Sequence, residues 1–285
     1  MGLIPNIVVN TLVLASMYIL ASLGFAFIFN MLGSVNLAHG AFYMLAAYIT
    51  YYLCAKAGLN NWLAMLLAAV ILASLGVLME RFVFRPFQKE FDRVVMVSVA
   101  IMTMLQQLAV QVSGSQTISI PAYGSGSVNL GFMLLSYEKL VTFAVGAVLL
   151  IITLFIVYRT KLGMQMEAIS QDRLGAAMQG IQVNKVAMLV CGMGFALAAV
   201  AGAMMGAYQQ VSSNMGDNIN VRILMLVMLA GAGSMNGILI TGFLMALLDS
   251  VCPIIWDSYT ASAIACSVVV VLLLIRPKGF FGHEM

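Results

Sequence analysis

Charged residues are scarce in this chain of 285 residues, at 8% of the composition against the roughly 25% typical of soluble domains. Hydrophobic residues make up 63% and recur in runs of about 20, long enough to cross a hydrocarbon core of about 30 Å. The short alternating segments typical of membrane β-strands are absent. The sequence therefore predicts an all-α, polytopic membrane protein, for which no nucleic-acid partner is expected.

The sequence also lacks paired cysteines, clustered methionines and two common catalytic motifs, which argues against several classes of function. The four cysteines are isolated within apolar segments, so we expect buried free thiols rather than a disulfide or a metal site. The 23 methionines are scattered rather than clustered, which favours packing over copper transport. Neither G-x-S-x-G nor H-E-x-x-H occurs, and His39 and His283 lie at opposite ends of the chain. These absences argue against an intramembrane enzyme.

Apolar run lengths predict eight or nine transmembrane segments. They lie at about 7–32, 41–57, 62–79, 94–113, 139–158, 185–208, 221–230, 238–252 and 259–275. Residues 221–230 alone are too short to span. The polar stretches between the segments are too short to bury cores of their own. We therefore expect one transmembrane domain, 1–285, with no soluble domain inside it.

Basic residues predict the orientation of these segments. Ten of the 13 lysines and arginines fall on one side of the alternating scheme, and they are Arg81, Arg85, Lys89, Arg93, Arg159, Lys161, Arg173, Lys185, Arg276 and Lys278. The positive-inside rule makes that side the cytoplasm. The N-terminus is then outside and the C-terminus inside. Lys56, Lys139 and Arg222 are left for the other face or the interfaces.

Two glycine-rich turns, GSVNLAHG at 33–40 and GAGSMNG at 231–237, carry no lysine or arginine. Each is therefore a candidate for a break inside the membrane, where irregular backbone persists only if protein or a water-filled cavity satisfies it. Such breaks form substrate sites in transporters. The alternative is that the glycines only allow close helix packing. The pair Asn36 and His39, spaced i, i+3, either ties a broken helix end to its neighbour or contacts substrate.

The polar segment 159–185 predicts a short amphipathic helix. Ala168, Leu174, Ala176, Ala177, Met178 and Ile181 are assigned to one side, and Glu167, Gln171, Asp172 and Arg173 to the polar side. Gly180 is a plausible stop, since glycine adopts the left-handed conformation that ends helices. The helix has mixed charge and no aromatic residue. That composition favours docking on a protein over lying in a lipid surface.

Four stretches, taken in order, resemble the LivH-type inner-membrane permeases of branched-chain amino acid ABC importers. They are MLGSVNLAHGAFYMLAAY, EAISQDRLGAAMQGIQVNKV, LAGAGSMNGILITGFLMALLDS and IRPKGFFG. Three positions depart from the family pattern: Glu167 stands where a basic residue is frequent, GAGSMNG lacks a double glycine, and Arg222 stands near an expected lysine.

The resemblance implies a bacterial inner-membrane permease that is not itself an enzyme. It implies four partners besides membrane lipid: a homologous second permease, two cytoplasmic ATP-binding subunits and an extracytoplasmic substrate-binding protein. This chain has no Walker A motif, so ATP is expected on the partner subunits and no cofactor on this chain. The cargo is expected to be leucine, isoleucine or valine, with urea, short amides or other small amino acids as alternatives.

Site residues follow from the same resemblance. Candidates for the substrate path are Gly33, Asn36, His39, Gly40, Gly231, Gly233, Ser234 and Gly237. Candidates for ATPase coupling are Glu167, Ala168, Gln171, Asp172, Arg173, Ala176, Gly180 and Ile181.

The competing hypothesis is an ion-coupled secondary transporter of small polar solutes that works alone. Proton coupling uses acidic residues near the midplane, and four of the predicted segments have no ionisable residue at their centres. Asp217, Asp249 and Asp257 are expected near segment ends, in solvated or snorkelling positions. Arg222 either anchors the seventh segment or faces the pore mouth.

Overall fold

A computed structural model describes residues 3–88, 90–114, 116–124, 126–129, 134–231, 234–256, 258–276 and 279–281. These residues form a helical bundle with one small β-hairpin. The helices are α1 Leu3–Leu32, α2 His39–Ala55, α3 Asn61–Met79, α4 Phe91–Ser113, α5 Tyr137–Arg159, α6 Lys161–Gln171, α7 Arg173–Met178, α8 Val183–Gln209, α9 Met215–Ala230, α10 Met235–Ile255 and α11 Ser258–Ile275. The strands are β1 Ser127–Asn129 and β2 Leu134–Ser136, which pair antiparallel.

Helices α1 and α8 form the centre of the bundle. They cross where Gly24 meets Gly194: a Cβ on Gly24 would lie 2.5 Å from the Gly194 carbonyl oxygen, and a Cβ on Gly194 would lie 2.6 Å from that of Gly24. Small residues at such crossings let two membrane helices approach closely. Helices α2 and α3 pack on α8, and α10 packs on α1. Helices α4 and α5 lie at the periphery, mostly exposed on the monomer.

The two ends of the bundle differ in charge. At one end, here called the basic end, the Arg85 guanidinium donates to the Asn184 carbonyl at 3.3 Å and the Tyr158 hydroxyl donates to Asn236 Oδ1 at 3.0 Å. This end also carries Arg159, Lys161 and Lys185.

At the opposite end, the Lys139 ammonium donates to Asn10 Oδ1 at 2.7 Å. An isolated β-bridge joins Ile118 to Val211 there, and the Asn61 amide holds the Pro121 carbonyl at 2.6 Å. Arg85, Arg159, Lys161 and Lys185 are therefore grouped at one end, as the sequence predicts, and Lys139 lies at the other.

Each predicted apolar run corresponds to one helix, and most boundaries agree within a few residues. Helices α1, α3 with its continuation to Phe87, α4, α5, α8 and α10 are long and apolar enough to cross a bilayer. The largest difference is α9, which begins at Met215 rather than near 221. Its first turns contain polar residues that interact with other helices, so hydropathy alone assigns them to a loop.

The predicted burial of the cysteines is confirmed for two of the four, since Cys54 and Cys266 are partly exposed. Cys54, Cys191, Cys252 and Cys266 are free, and Cys191 and Cys252 are buried.

We expect Gly24→Leu to lower the melting temperature of the purified protein. The new side chain meets the Gly194 carbonyl, and overpacking in a core costs about 1–3 kcal/mol of unfolding free energy. Thermal unfolding in detergent measures the change. Val148→Leu, on the exposed face of α5, is the matched control. Equal melting temperatures for the two variants would show that the α1–α8 crossing is not tight.

Candidate functional site

Residues 33–38 connect α1 to α2 inside the bundle. Gly33 has a φ of 66°, which turns the chain at the end of α1. His39 then begins α2 with its Nε2 3.0 Å from the Ala21 carbonyl oxygen. Ala21 lies eleven residues before the end of α1, so α2 starts about 16 Å inside that end at 1.5 Å per residue. Ser34 and Asn36 are buried. The segment is therefore a non-helical break within the bundle, as its lack of lysine and arginine predicts.

His39 is fully buried between aromatic rings. The ring centroids of Phe25 and Phe195 lie 5.8 and 5.7 Å from that of the imidazole. Because a carbonyl oxygen only accepts, the contact with Ala21 places the ring proton on Nε2. Nδ1 is then an acceptor, and it has no hydrogen-bond partner among the described residues. Nε2 thus ties α2 to α1, the structural role considered for this residue from sequence.

Asn36 shapes the turn before α2. Its Oδ1 accepts a hydrogen bond from the Ala38 N–H at 3.1 Å, a local turn that asparagine favours. The adjacent Leu37 N–H donates to the Ser98 hydroxyl of α4 at 3.1 Å. Asn36 is 1% exposed, and its Nδ2 has no partner within the described parts of the chain.

Asn220 of α9 holds the break from the other side, and sequence reasoning missed it. Its Oδ1 accepts from the Gly40 N–H at 2.8 Å, and its Nδ2 donates to the Leu37 carbonyl. Gly216 of α9 also lies against Gly40, since a Cβ on Gly216 would be 2.8 Å from the Gly40 carbonyl oxygen. The two short helices α2 and α9 therefore begin side by side inside the bundle. The only sequence signal was the cluster of polar residues before the seventh apolar run.

The second glycine-rich turn lies elsewhere, at the basic end. Gly231 has a φ of 90° and ends α9, while the Ser234 hydroxyl caps α10 by accepting from the Gly237 N–H at 3.1 Å. Gly233 lies outside the described residues. A Cβ on Gly237 would lie 2.6 Å from the Ala230 carbonyl oxygen, so close packing is one use of this glycine.

The C-terminal tail covers this turn. The N–H groups of Phe280 and Phe281 donate to the Leu229 and Ala230 carbonyls at 2.8 and 3.1 Å. The last two family-like stretches therefore pack on each other. They do not join the break at 33–38, so the substrate-path candidates that the structure describes do not form one site.

The amphipathic segment forms two helices rather than one. Helix α6 starts at Lys161, and Asp172 separates it from α7. Asp172 Oδ1 caps α7 by accepting from the Leu174 N–H at 2.9 Å. Gly180, with a φ of 83°, ends the segment, and the Ile181 N–H donates back to the Ala176 carbonyl at 3.1 Å. The predicted glycine stop is confirmed.

The residues assigned to one side of this segment do not share one environment. Met166, Ile169 and Ala176 are buried, whereas Leu174 and Met178 are 72% and 77% exposed. The break at Asp172 changes the direction of the helix axis, so one continuous helical wheel does not describe both helices. Of the other coupling candidates, Glu167, Gln171, Asp172 and Gly180 are exposed, and Ala168 and Ile181 are half-buried.

Arg173 points into the chain. Its guanidinium donates to the Met31 carbonyl at the end of α1 at 3.1 Å and to Gln88 Oε1 at 2.6 Å. Gln88 in turn donates to the buried Glu80 at 3.3 Å, and Glu80 pairs with Arg85. Arg173 is thus the anchor of α7 on the bundle rather than a free side chain awaiting a partner.

An ion pair inside the bundle corrects the sequence interpretation of two further residues. Arg222 Nε of α9 lies 3.2 Å from Asp249 Oδ2 of α10, and the Tyr18 hydroxyl of α1 donates to the same oxygen at 2.9 Å. The side chains of Arg222 and Asp249 are 26% and 8% exposed. Asp249 is therefore paired and buried, not solvated at a segment end. Asp257 lies outside the described residues.

Within the described parts of the chain, no three His, Cys, Asp or Glu side chains group together as a metal site would need.

Replacing Asn220 with alanine should destabilise the break. The Gly40 N–H and the Leu37 carbonyl then lose their partners, and an unsatisfied buried polar group costs about 1–3 kcal/mol. We expect a lower melting temperature in detergent. Gln107→Ala, an exposed amide on α4, should leave it unchanged. Equal stability of the two variants would contradict the role given to Asn220.

Comparison with known proteins shows which of them this chain resembles. The chain is 28% identical to the high-affinity branched-chain amino acid transport system permease protein BraD of Pseudomonas aeruginosa, over 96% of this chain and 94% of that protein. It is 25% identical to the permease protein LivH of the corresponding system in Escherichia coli, with the same coverages.

Among solved structures, PsaBC from Streptococcus pneumoniae in complex with Fab aligns with a TM-score of 0.56 at 18% identity, covering 98% of this chain and 93% of that one. This likeness concerns the fold. A sequence model of the family described as "Branched-chain amino acid transport system / permease component" matches residues 7–276. The chain belongs to this family of branched-chain amino acid permeases.

Proposed function

We propose that this chain is the transmembrane permease subunit of a binding-protein-dependent ABC importer that carries branched-chain amino acids into the cytoplasm. Family membership and the cargo named for BraD and LivH support this proposal. The chain itself hydrolyses no ATP and binds no cofactor. A bacterial inner membrane is the proposed location.

The proposed topology has nine crossings, with the N-terminus outside. The basic end faces the cytoplasm, because lysine and arginine concentrate there. Seven crossings are single helices. The other two combine an irregular part with a shorter helix: residues 33–38 with α2, and residues 210–214 with α9. Irregular backbone at membrane depth is tolerated where protein satisfies it, and the contacts of Asn220 and Ser98 do so for the first break.

The proposed assembly contains a homologous second permease in the same lipid bilayer, two cytoplasmic ATP-binding subunits and an extracytoplasmic substrate-binding protein. The observation that carries the proposal is the exposed apolar pair Leu174 and Met178 on α7, here called the docking patch. It lies at the basic end beside a groove that includes Ala177, Ile181 and Val183. An apolar helix face outside the membrane fits the groove of a soluble partner.

Replacing Leu174 and Met178 together with aspartate should release the ATP-binding subunits. Charge in an apolar contact costs desolvation free energy, whereas both side chains are exposed in this chain and their replacement leaves the bundle unchanged. Co-purification of the partner subunits with the tagged permease measures the loss. Met164→Asp, an exposed methionine on α6, is the control. Normal co-purification of the double variant would place ATPase docking elsewhere.

An ion-coupled transporter remains the alternative class, and the ion pair of Arg222 and Asp249 is the observation that bears on it. The Asp249 carboxylate is already engaged by two groups of this chain, the Arg222 guanidinium and the Tyr18 hydroxyl. Asp249 therefore does not supply the free midplane acid that proton coupling requires.

Reconstituted vesicles distinguish the two classes. We expect uptake of leucine only when the partner subunits, the binding protein and ATP are all present. Uptake by this chain alone, driven by a proton or sodium gradient, would overturn the importer assignment. Vesicles that contain the ATP-binding subunits without this chain are the negative control.

A further inference from the structure

Helices α4 and α9 meet along one line. The Gln106 amide of α4 donates to Asp217 Oδ2 at 2.7 Å and to Asn214 Oδ1 at 3.3 Å. Further toward the basic end, the Met102 sulfur of α4 accepts from Nδ2 of the buried Asn220 of α9 at 3.4 Å. Residue numbers fall along α4 as they rise along α9, so the two helices run antiparallel.

The exposed sides of α4 and α9 form one outer surface. At about 100° per residue, Gln107 lies about 140° round α4 from Met102, and Asn218 lies about 160° round α9 from Asn220. Both amides are exposed, on the side of the contact line away from the bundle interior. Residues spaced i, i+4, i+7, i+11 or i+14 from one another share a helix side. The exposed residues at such spacings, here called the α4–α9 face, are Ala100, Gln107, Gln111, Asn214, Asn218, Val221 and Met228.

Two amides of the α4–α9 face lie at membrane depth. Gln107 is 16 residues from the start of α4, and Asn218 is 12 residues before the end of α9. These positions are about 24 Å and about 18 Å from the basic end at 1.5 Å per residue. Ala100 and Val221 are each nine residues from the same two helix ends, in the half of the bundle nearer the basic end. The face is therefore apolar in that half and rich in amides beyond it.

Lipid is a poor neighbour for these amides. A polar side chain at membrane depth is costly unless it faces protein or water. Other exposed membrane surfaces differ, since α5 and α10 expose apolar side chains such as Val148 and Ile240. The exposed hydroxyls of Ser74 and Ser267 donate to carbonyls of their own helices. In the described helices, other exposed amides lie near the ends of the bundle, so the α4–α9 face is the surface least suited to lipid.

One partner in the proposed assembly suits this face. The ATP-binding subunits and the binding protein are soluble and lie outside the hydrocarbon core, whereas the second permease lies within it. An amide both donates and accepts hydrogen bonds, so a homologous chain that presents the same surface is complementary to it across a twofold axis. The face carries no charged residue, and two copies of it therefore do not repel each other.

We propose that the α4–α9 face is the surface on which the homologous second permease packs. Gln107 and Asn218 hydrogen-bond across the contact, as amides do between membrane helices. Ala100 lets the two chains approach closely nearer the basic end, where Val221 and Met228 supply apolar surface. This inference rests on the proposed importer function and adds which helices of this chain meet the second permease.

Photocrosslinking within the purified complete importer tests the contact. The photoreactive residue p-benzoylphenylalanine replaces Gln107 or Asn218 in turn, and the second permease carries its own affinity tag. We expect ultraviolet light to join the two permeases from both positions, because the excited ketone inserts only into groups that touch it. The same residue in place of Val148 on α5 is the matched control and should give no such adduct. A yield at Gln107 or Asn218 no higher than at Val148 would overturn the proposal, and that is the result expected if the face lines a water-filled path.

A steric wedge tests how closely the two chains pack. Ala100→Trp enlarges the α4–α9 face, and Ala144→Trp makes the same change on the exposed side of α5. Both alanines are exposed in the single chain, so neither variant should change the melting temperature of this permease purified alone. We expect Ala100→Trp to lose most of the second permease during affinity purification and Ala144→Trp to retain it. Equal retention by the two variants would contradict a packed contact.

The unaltered complex separates this inference from the importer assignment. If the unaltered chain co-purifies with no second permease and no ATP-binding subunit, the importer proposal fails. If the unaltered complex forms and the crosslinks or the wedge give the contrary result, only the placement of the second permease on the α4–α9 face fails.

Discussion

The peptide groups of the break at 33–40 must find hydrogen-bond partners inside the protein, because lipid offers none. The chain meets this constraint with side chains from distant helices. Ser98 of α4 accepts from the Leu37 N–H, and one amide, Asn220 of α9, serves both the Leu37 carbonyl and the Gly40 N–H. The break therefore exists only while α4 and α9 stay in place beside α1 and α8. Conversely, a shift of α4 or α9 must exchange these hydrogen bonds for others, so the break couples the positions of several helices.

The same break is linked to the basic end through α1. Arg173 of α7 donates to the Met31 carbonyl, directly before the turn at Gly33, and also to Gln88. Gln88 continues the network to Glu80, which lies in a π-helical turn at the end of α3. Such turns occur often at functional sites in proteins. A force applied to the docking patch on α7 therefore reaches the end of α1, the start of the break and the end of α3 through direct hydrogen bonds.

The sequence predicted the parts of this arrangement that depend on local composition. The apolar runs, the break before His39 and the stop at Gly180 each follow from a short stretch of residues. The contacts that build the candidate site do not follow from any short stretch of residues. Asn220 meets Gly40 across 180 residues, and Arg222 meets Asp249 between two helices. The local sequence around Asn220 and Arg222 does not indicate which residue each of them contacts. Hydropathy therefore placed Asp249 at a segment end, although pairing lets it lie buried.

The charges inside the bundle also limit how the helices can move. Separating Arg222 from Asp249 would leave an uncompensated buried charge, which typically costs about 3–5 kcal/mol. Helices α9 and α10 are therefore expected to move together, with Tyr18 of α1 as the third member of the contact. Asp217 is held instead by Gln106 of α4, through a single neutral donor. The interface between α9 and α4 is thus the less costly one to open.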